Sequence, residues 1–445
     1  MLFIYIFFLS ILLLKDIKSN YISIPFIVQN YNFSKKAKYF NLINNYLYRD
    51  IKINFLVGNP PQKISLSACL KEFSTFIISK DAKGFNEGLY NKNISNTYTS
   101  LSKNNEKYAF QVFSEGIISK DNFKIEKPKM KINDLEFILA TKIGGNFCFE
   151  DFSEFLPQPG ILGFKLAQPL DFEENITNIN FISQLKKKNL ISSYDFNFHF
   201  NSENSGNIII GLKPHEYDKT KYKMENYLFT KTSFLLDGLD WSLSFDKIYY
   251  GEDELPNIMP IILRIENGFI NGDEEWQNII ENNFFKELIE ENICFKSYTN
   301  ELDSTLFYYY CNKSFDIYEF PPFIFYINEF NYNFSLTYED LFLNIGDKYL
   351  FLMAFGGVEN IILGYPFLKK YQLIFNQGEK TIGFYKEIKS QKDKSFISYY
   401  ITIIVLGVIF LILLVFVIFL YLKQLKSIKM NAIELLNEER EIIIE

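Results

Sequence analysis

The sequence predicts a mainly β fold with short helices, built from two similar halves. Segments with an apolar residue at every second position recur along the chain, which is typical of half-buried strands. An Ile-Leu-Gly sequence occurs in each half, at residues 161–163 and 362–364. Such an internal repeat indicates two copies of one structural plan. A long apolar run near the C-terminus predicts one transmembrane helix in addition to the β fold.

Length and charge limit the classes of function. A chain of 445 residues is long enough to bury cores in two domains. Hydrophobic residues make up 48% of it and charged residues 22%, a composition typical of globular proteins. The net charge of −7 argues against nucleic acid as a partner.

The clearest pair of strands lies at residues 51–57 and 64–69. Both segments alternate apolar and polar residues. Between them, residues 58–61 read Gly-Asn-Pro-Pro and end the first strand, because proline has no N–H group for a β ladder. The sequence therefore predicts a β-hairpin here.

Residues 2–14 form an almost unbroken apolar run. This length is short for a membrane span and typical of a signal-peptide core. We predict a signal peptide over residues 1–19, followed by an N-terminal segment over residues 20–45. An uncleaved N-terminal anchor is the alternative.

Residues 395–422 carry no charged side chain. As a helix they would exceed the roughly 30 Å thickness of a bilayer core, so we predict a transmembrane helix. Residues 423–445 would form a cytoplasmic tail and residues 20–394 would lie outside, as in a type I membrane protein. That orientation follows from three lysines directly after the run, Lys423, Lys426 and Lys429.

The predicted hairpin resembles the opening of the pepsin-like aspartic proteases. Residues 57–62, Val-Gly-Asn-Pro-Pro-Gln, are similar to the family's Ile-Gly-Thr-Pro-Pro-Gln. In the family, Asp-Thr-Gly-Ser begins seven residues after that glutamine and supplies the first catalytic aspartate. Here the position holds Cys69, followed by Leu70 and Lys71.

Further motifs carry the resemblance over residues 46–388. Residues 159–164 resemble the family's Asp-Gly-Ile-Leu-Gly-Leu, and residues 361–376 resemble its Ile-Leu-Gly-Asp-X-Phe-Leu-Arg segment. The resemblance implies the bilobal, all-β acid protease fold. The N-terminal lobe would span residues 46–216 and the C-terminal lobe residues 217–390.

The second catalytic aspartate has two candidate positions. A predicted helix over residues 273–280 follows a β segment, as in the family, and this alignment places the aspartate at Arg264. A rival alignment sets residues 266–268, Glu-Asn-Gly, over the family's Asp-Thr-Gly and makes Glu266 a vestigial catalytic acid.

The flap of the family also differs here. Residues 115–121 resemble the segment that follows the flap, which places Ala109 at the flap tyrosine with Tyr108 one position away. The flap glycines, which let the backbone approach a substrate, are Phe110 and Val112.

These replacements predict that aspartic protease chemistry is lost. The reaction needs two carboxylates that share one proton. A thiol at Cys69 is neutral near neutral pH, and a guanidinium at Arg264 cannot accept a proton from water. We therefore predict that no catalytic pair is intact.

Cys69 and Arg264 have other candidate roles. Cys69 would need a histidine as base to act as a nucleophile, and neither His199 nor His215 lies in a segment that the family brings to the cleft centre. Arg264 would pair locally with Glu266, or it would receive a carboxylate or phosphate from a partner.

The remaining cysteines and the sequons fit an exterior location. Cys294 and Cys311 are close enough in sequence to close a hairpin-sized loop by a disulfide, whereas Cys69 and Cys148 would pair or stay free. Five Asn-X-Ser/Thr sequons predict glycosylation, at Asn32, Asn93, Asn175, Asn312 and Asn333.

The sequence thus predicts a membrane-anchored pepsin-like homologue without activity, whose cleft binds an extended peptide or a protein. We expect a monomer in the secretory pathway or at the cell surface, with no cofactor and no metal. One alternative is an active aspartic endopeptidase with atypical catalytic residues. Another is a structural or adhesive surface protein.

Overall fold

The computed structural model describes most of residues 20–386 and part of the C-terminal region. The described residues are 20–30, 49–82, 89–102, 106–107, 113–126, 129–143, 158–166, 179–233, 240–256, 260–301, 304–356, 360–386, 407, 409–424 and 426. The chain divides into two compact units, residues 1–386 and residues 387–445. The predicted signal peptide lies outside the described residues.

Strands dominate the first unit, as the sequence predicts. In chain order they are β1 (Ile22–Asn30), β2 (Arg49–Val57), β3 (Gln62–Cys69), β4 (Phe76–Ile78), β5 (Thr99–Ser100), β6 (Glu106–Lys107), β7 (Phe113–Ile125), β8 (Met130–Ile143), β9 (Gly160–Gly163), β10 (Asp195–Ser202), β11 (Ser205–Ile210), β12 (Tyr227–Lys231), β13 (Ser242–Leu243), β14 (Lys247–Tyr250), β15 (Asp253–Leu255), β16 (Ile261–Leu263), β17 (Ile270–Gly272), β18 (Cys294–Glu301), β19 (Ser304–Asn312), β20 (Phe323–Ile327), β21 (Tyr332–Leu336), β22 (Phe342–Ile345), β23 (Lys348–Phe355), β24 (Ile362–Leu363), β25 (Ile374–Asn376) and β26 (Thr381–Tyr385).

The helices of this unit are short. They are α1 (Phe181–Lys187), α2 (Pro214–Tyr217), α3 (Glu274–Ile280), α4 (Lys286–Glu290), α5 (Tyr338–Leu341) and α6 (Tyr365–Tyr371), with a π-helical turn at Glu281–Phe285 and 3-10 turns at Met224–Asn226, Ile317–Glu319 and Asn328–Phe330. The helix predicted after residue 273 is α3, and the side chain of Asp273 caps it by accepting from the N–H of Trp276.

The predicted hairpin near the N-terminus is confirmed as β2 and β3. The two strands pair antiparallel from Lys52 opposite Ser67 to Val57 opposite Gln62. The alternate apolar residues of β2 are buried, as a half-buried strand requires. Gly58 begins the turn with a φ of +86°, a conformation that favours glycine.

The repeat inferred from the two Ile-Leu-Gly sequences is present as a repeated strand arrangement. In the first half, β3 runs parallel to β9, β9 antiparallel to β4, and β4 parallel to β8. In the second half, β16, β24, β17 and β23 repeat that order and those directions. Both halves therefore share one strand arrangement, with β9 and β24 in equivalent positions.

The two halves also share a core. Strands β12, β25 and β26 from the second half extend the 14-stranded sheet that contains β3 and β9. Trp241, which is fully buried, packs its ring 5.9 Å from Phe196 and 5.0 Å from Phe375. Its indole N–H donates to the carbonyl of Phe164 at 2.8 Å. This packing holds β13 and its neighbour β16 against the first half.

Two apolar segments of the second half form shorter strands than their length in the sequence suggests. The alternating segment over residues 241–251 divides into β13 and β14, because β13 pairs with β16 whereas β14 joins a separate sheet beside β15 and β20. The segment over residues 261–268 stops at Leu263, directly before the candidate site. Residues 323–336 form a further hairpin, in which β20 pairs antiparallel with β21.

In the second unit, residues 409–424 are helical. Among the residues that the structure describes there and elsewhere, no helix combines the length and the apolar character needed to cross a membrane. The transmembrane helix over residues 395–422 stays a prediction.

Candidate functional site

Cys69 is the last residue of β3 and lies beside the first Ile-Leu-Gly sequence. Ser67, Ala68 and Cys69 pair in parallel register with Ile161, Leu162 and Gly163. The carbonyl of Cys69 accepts the N–H of Phe164 at 2.9 Å. The side chain is only 7% exposed.

Arg264 lies at the matching position of the second half. Ile262 and Leu263 pair with Ile362 and Leu363, and the N–H of Arg264 donates to the carbonyl of Leu363 at 3.1 Å. Arg264 therefore stands beside Gly364, as Cys69 stands beside Gly163.

The return strands give the same correspondence. Phe76 pairs with Ile161 in the first half, and Asn271 pairs with Ile362 in the second. Seven positions lead from Cys69 to Phe76 and seven from Arg264 to Asn271. Glu266 in turn corresponds to Lys71, two residues past the site position.

Glu266 joins the two halves at the centre of the site. Its Oε2 accepts the N–H of Leu70 at 3.1 Å, and its Oε1 lies 3.5 Å from Sγ of Cys69, which donates to it. Its own carbonyl accepts the N–H of Arg49 at 3.0 Å. The carboxylate thus contacts the first half although it belongs to the second.

The thiol of Cys69 is held in its neutral form. Burial raises its pKa well above the usual value, and the negative charges of Glu266 and Glu72 raise it further. Cys69 is a free cysteine. Since the thiolate is the reactive form, this environment makes the side chain a poor nucleophile.

Arg264 is buried and bound to acidic side chains of its own half. Its Nη2 donates to Oδ2 of Asp240 at 2.8 Å, and its Nε lies 3.8 Å from Oε1 of Glu266. Burial lowers the pKa of Arg264, but the charges of Glu266 and Asp240 outweigh it and the pKa is raised. The predicted pairing with Glu266 is therefore present, and Asp240 is the nearer partner.

Asp240 was not found by sequence reasoning. It connects the halves, because its Oδ1 also lies 3.2 Å from Nζ of Lys165. Burial raises the pKa of Asp240, but the charge and hydrogen bond of Arg264 dominate and the pKa is lowered. The contact between Asp240 and Arg264 follows from the antiparallel register of β13 and β16. Because Ser242 pairs with Ile262, Asp240 falls opposite Arg264.

Asp50 occupies the matching place in the first half. Lys52 pairs with Ser67, so Asp50 falls opposite Cys69. Its carboxylate is buried and accepts hydrogen bonds from Ser67 Oγ at 2.7 Å and Gln158 Nε2 at 2.8 Å. Burial raises its pKa. The sequence did not identify Asp50 as a site residue. Its hydrogen-bond partner Gln158 lies far away along the chain, so no local pattern links the two.

The two histidines are grouped with tyrosines. His199 lies on β10, with its ring 6.3 Å from Tyr217, and His215 lies on α2, with Nδ1 2.6 Å from the hydroxyl of Tyr385. Along the 14-stranded sheet, β10 is four strands from the strand of Cys69. The contacts of the histidines therefore give Cys69 no base.

Other predicted site residues divide into three groups. The disulfide between Cys294 and Cys311 is confirmed, and it joins directly paired residues of β18 and β19. The sequon residues Asn93 and Asn333 are exposed and Asn312 is half-buried. The remaining predicted residues lie outside the described ranges, namely the flap residues Tyr108 and Ala109, Cys148, Asn32 and Asn175.

No cluster of three or more His, Cys, Asp or Glu side chains that could hold a metal ion occurs within the described ranges. Besides Glu72, whose charge acts on Cys69 and whose own pKa is raised by burial, the described ionisable groups at the centre are one thiol, one guanidinium and the carboxylates of Glu266 and Asp240. Each of these groups contacts another of them or Lys165.

Comparison with known proteins gives the family. The profile described as eukaryotic aspartyl protease matches residues 57–387. The chain belongs to this family, which confirms the resemblance inferred from the motifs. No curated protein matches the chain.

Proposed function

We propose that the chain is a membrane-anchored member of the pepsin-like family that binds polypeptides without cleaving them. The observation that carries this proposal is the register of the two site positions, which assigns Cys69 and Arg264 to the places beside Gly163 and Gly364. The family's chemistry needs a carboxylate at each of these places.

The chemistry of the replacements supports the loss of activity. A general base must accept a proton from water near its working pH. The thiol of Cys69 has a raised pKa, and the guanidinium of Arg264 already holds its proton. Each missing acid–base contribution is worth about 10²–10⁴ in rate.

Among the described residues, Glu266 is the acidic side chain whose carboxylate accepts a hydrogen bond from the thiol of Cys69. Its oxygens are engaged by Cys69, the N–H of Leu70 and Arg264. In a carboxylate pair, one member stays protonated because two like charges cannot both ionise at close range. The groups that contact Glu266 are a thiol, a backbone N–H and a guanidinium, and none of them is a carboxylate.

The retained architecture supports a binding role. Each half carries its site position on a strand that runs parallel to an Ile-Leu-Gly strand, in one repeated arrangement. We propose that the cleft receives an extended peptide or a protein segment, and that the protein acts as a monomer.

The proposed location rests on sequence and on the disulfide. The uncharged run over residues 395–422 would anchor the chain, with residues 20–394 on the lumenal or extracellular side. The disulfide between Cys294 and Cys311 fits an oxidising compartment.

The test is a cleavage and binding assay on the full chain in detergent or nanodiscs. We expect no cleavage of a denatured protein or a peptide library between about pH 3 and about pH 8, while the immobilised chain retains specific peptides from that library. Cleavage that Glu266→Gln abolishes, and that the exposed control Glu254→Gln preserves, would instead identify an active endopeptidase. A chain that neither cleaves nor retains peptides would be a structural or adhesive protein.

A further inference from the structure

The end of the first unit lies within a group of aromatic and basic side chains. Strand β26 ends at Tyr385, and the N–H of Lys386 donates to the carbonyl of Asn226 at 2.9 Å. The ring of Tyr385 lies 4.9 Å from Tyr222 and 5.3 Å from Tyr227. We name this surface the exit face and define it by six residues: Lys221, Tyr222, Met224, Tyr227, Phe229 and Tyr385.

The exit face exposes large apolar side chains. Met224 is 73% exposed and Phe229 is 55% exposed. Phe229 stacks on Tyr227 at 6.0 Å, and both lie on β12, the outermost strand at one end of the 14-stranded sheet. Exposed apolar and tyrosine side chains in one place indicate an interaction surface.

The chain segment that carries most of this surface is basic in an acidic protein, and one of its lysines, Lys213, also pairs with Asp195 at 3.8 Å. Residues 213–231 contain five lysines and three acidic residues, and Lys386 adds another positive charge, whereas the whole chain has a net charge of −7. Nζ of Lys221 lies 5.2 Å from the Tyr222 ring, and Nζ of Lys213 lies 5.6 Å from the Tyr227 ring. Lysines around tyrosine and apolar side chains are typical of surfaces that contact phospholipid headgroups.

The length of the connecting chain keeps this face near the proposed anchor. Only residues 387–394 separate Lys386 from the uncharged run. Eight residues span at most roughly 28 Å even when fully extended. In a chain anchored through residues 395–422, a linker of this length would allow the exit face to reach the membrane surface.

We propose that the exit face docks on the phospholipid surface, with Phe229 and Met224 among the headgroups and the lysines on their phosphates. This inference rests on the proposed transmembrane anchor. A second copy of the chain is a poorer occupant, because a symmetric contact would bring two basic faces together. Strand β12 is seven strands from β3 along the sheet, so docking leaves the strand of Cys69 away from the contact.

The test uses the full chain in vesicles of phosphatidylcholine and phosphatidylserine, with brominated lipids as quenchers. Phe229→Trp places a fluorophore in the exit face. Tyr298→Trp is the matched control, because Tyr298 is 57% exposed on β18 of a different sheet. The native Trp241 and Trp276 are fully buried and give a constant background. We expect quenching of the tryptophan at position 229 and not of that at position 298.

Charge reversal gives a second measurement. Each lysine near an anionic surface contributes roughly a fivefold factor to the docking equilibrium. Lys219→Glu with Lys223→Glu, both at exposed positions, should therefore release the tryptophan at position 229 from the quencher. Lys129→Glu with Lys131→Glu, the same charge change on another hairpin, should not.

The possible results distinguish a failure of the proposed anchor from a failure of the docking proposal. A chain that floats with the vesicles and resists alkaline extraction, but whose tryptophan at position 229 is quenched no more than the control, retains the anchor and overturns docking. A chain that does not float overturns the anchor and, with it, this inference.

Discussion

Sγ of Cys69 lies 3.5 Å from Oε1 of Glu266, so a thiol of one half donates to a carboxylate of the other. In a functioning aspartic protease, two carboxylates meet between the halves and share a proton. Here the acid comes from a residue two positions past the matching site, and its partner is a neutral thiol. At the centre, the two halves are therefore joined by a hydrogen bond between a thiol and a carboxylate.

A carboxylate at position 69 would restore like-charge contact, and we expect Cys69→Asp to make stability depend on pH. Two close carboxylates raise the pKa of one member above about 3.9. A raised pKa in the folded state means that stability is complete below about pH 4 and is lost as pH rises, by about 1.4 kcal/mol for each unit of the shift. Urea unfolding at about pH 4 and about pH 7 measures this.

The control for that variant is Cys69→Asn, because the asparagine side chain has the shape of aspartate but carries no charge. It should lose similar stability at both pH values. If Cys69→Asp also shows no difference between the two, then Glu266 is not the neighbour that the structure gives.

Removing the cation should destabilise the centre. Arg264→Met leaves Asp240 and Glu266 without the guanidinium at 2.8 Å and 3.8 Å. Breaking a buried ion pair costs about 3–5 kcal/mol of stability. Lys165 still faces Asp240 at 3.2 Å and compensates in part. We therefore expect the free energy of unfolding to fall by about 2–3 kcal/mol, measured by urea unfolding at neutral pH.

The ion pair between Asp240 and Arg264 should also make stability depend on pH. The lowered pKa of Asp240 contributes stability above about pH 3.8 that is lost as pH falls through the folded value. Arg264→Met combined with Asp240→Asn should recover part of the loss, since no unpaired charge remains between them. A double variant no better than Arg264→Met would show that the pair is not coupled.

Local patterns predicted the elements, and the repeated Ile-Leu-Gly sequences predicted the two halves. Alternation gave β2 and β3 because a buried strand face needs every second residue apolar. The helix predicted after residue 273 placed Arg264 at the site position of the second half, and the strand pairs agree, since seven positions lead from Cys69 to Phe76 and from Arg264 to Asn271.

The contacts of Asp240 and Asp50 could not be predicted in this way. Asp240 meets Arg264 across a separation of 24 residues, and Asp50 meets Gln158 across 108. Such pairs depend on the register of strands that are distant in sequence, and no local periodicity encodes that register. The antiparallel pairing of β13 with β16 had to be known first.

Loss of the disulfide should lower stability without changing the hairpin's pairing. Cys294 and Cys311 are 17 residues apart, and closing a loop of about this length stabilises by roughly 3 kcal/mol. Cys294→Ser with Cys311→Ser should lose about that amount in urea unfolding. A reductant should bring the parent chain to the same level and leave the double variant unchanged; equal effects on both would contradict this assignment.

Glycan attachment should distinguish exposed from half-buried sequons. Asn93 and Asn333 are exposed, whereas Nδ2 of Asn312 donates to the carbonyl of Asn292 at 3.3 Å. In a eukaryotic secretory host we expect Asn93→Gln and Asn333→Gln each to remove one glycan by mass. Asn312→Gln should leave the mass of glycan unchanged, and a loss there would mean that the hydrogen bond does not protect the amide.

The histidines should make the folded state sensitive to acid. Burial lowers the pKa of both His199 and His215. Around His199 the charge of Lys221 lowers the pKa further and Asp218 opposes it. Around His215 the neighbouring charges are those of Glu216, Lys213 and Asp195.

The sign follows from the direction of these shifts. Above about pH 6.5 both histidines are neutral in the folded and the unfolded chain. As pH falls below that value the unfolded chain binds protons first, so stability decreases until the folded pKa values are reached. His199→Gln with His215→Gln should flatten the decline of stability between about pH 6.5 and about pH 5, measured by urea unfolding. A slope equal to that of the parent chain would assign acid sensitivity to the carboxylates instead.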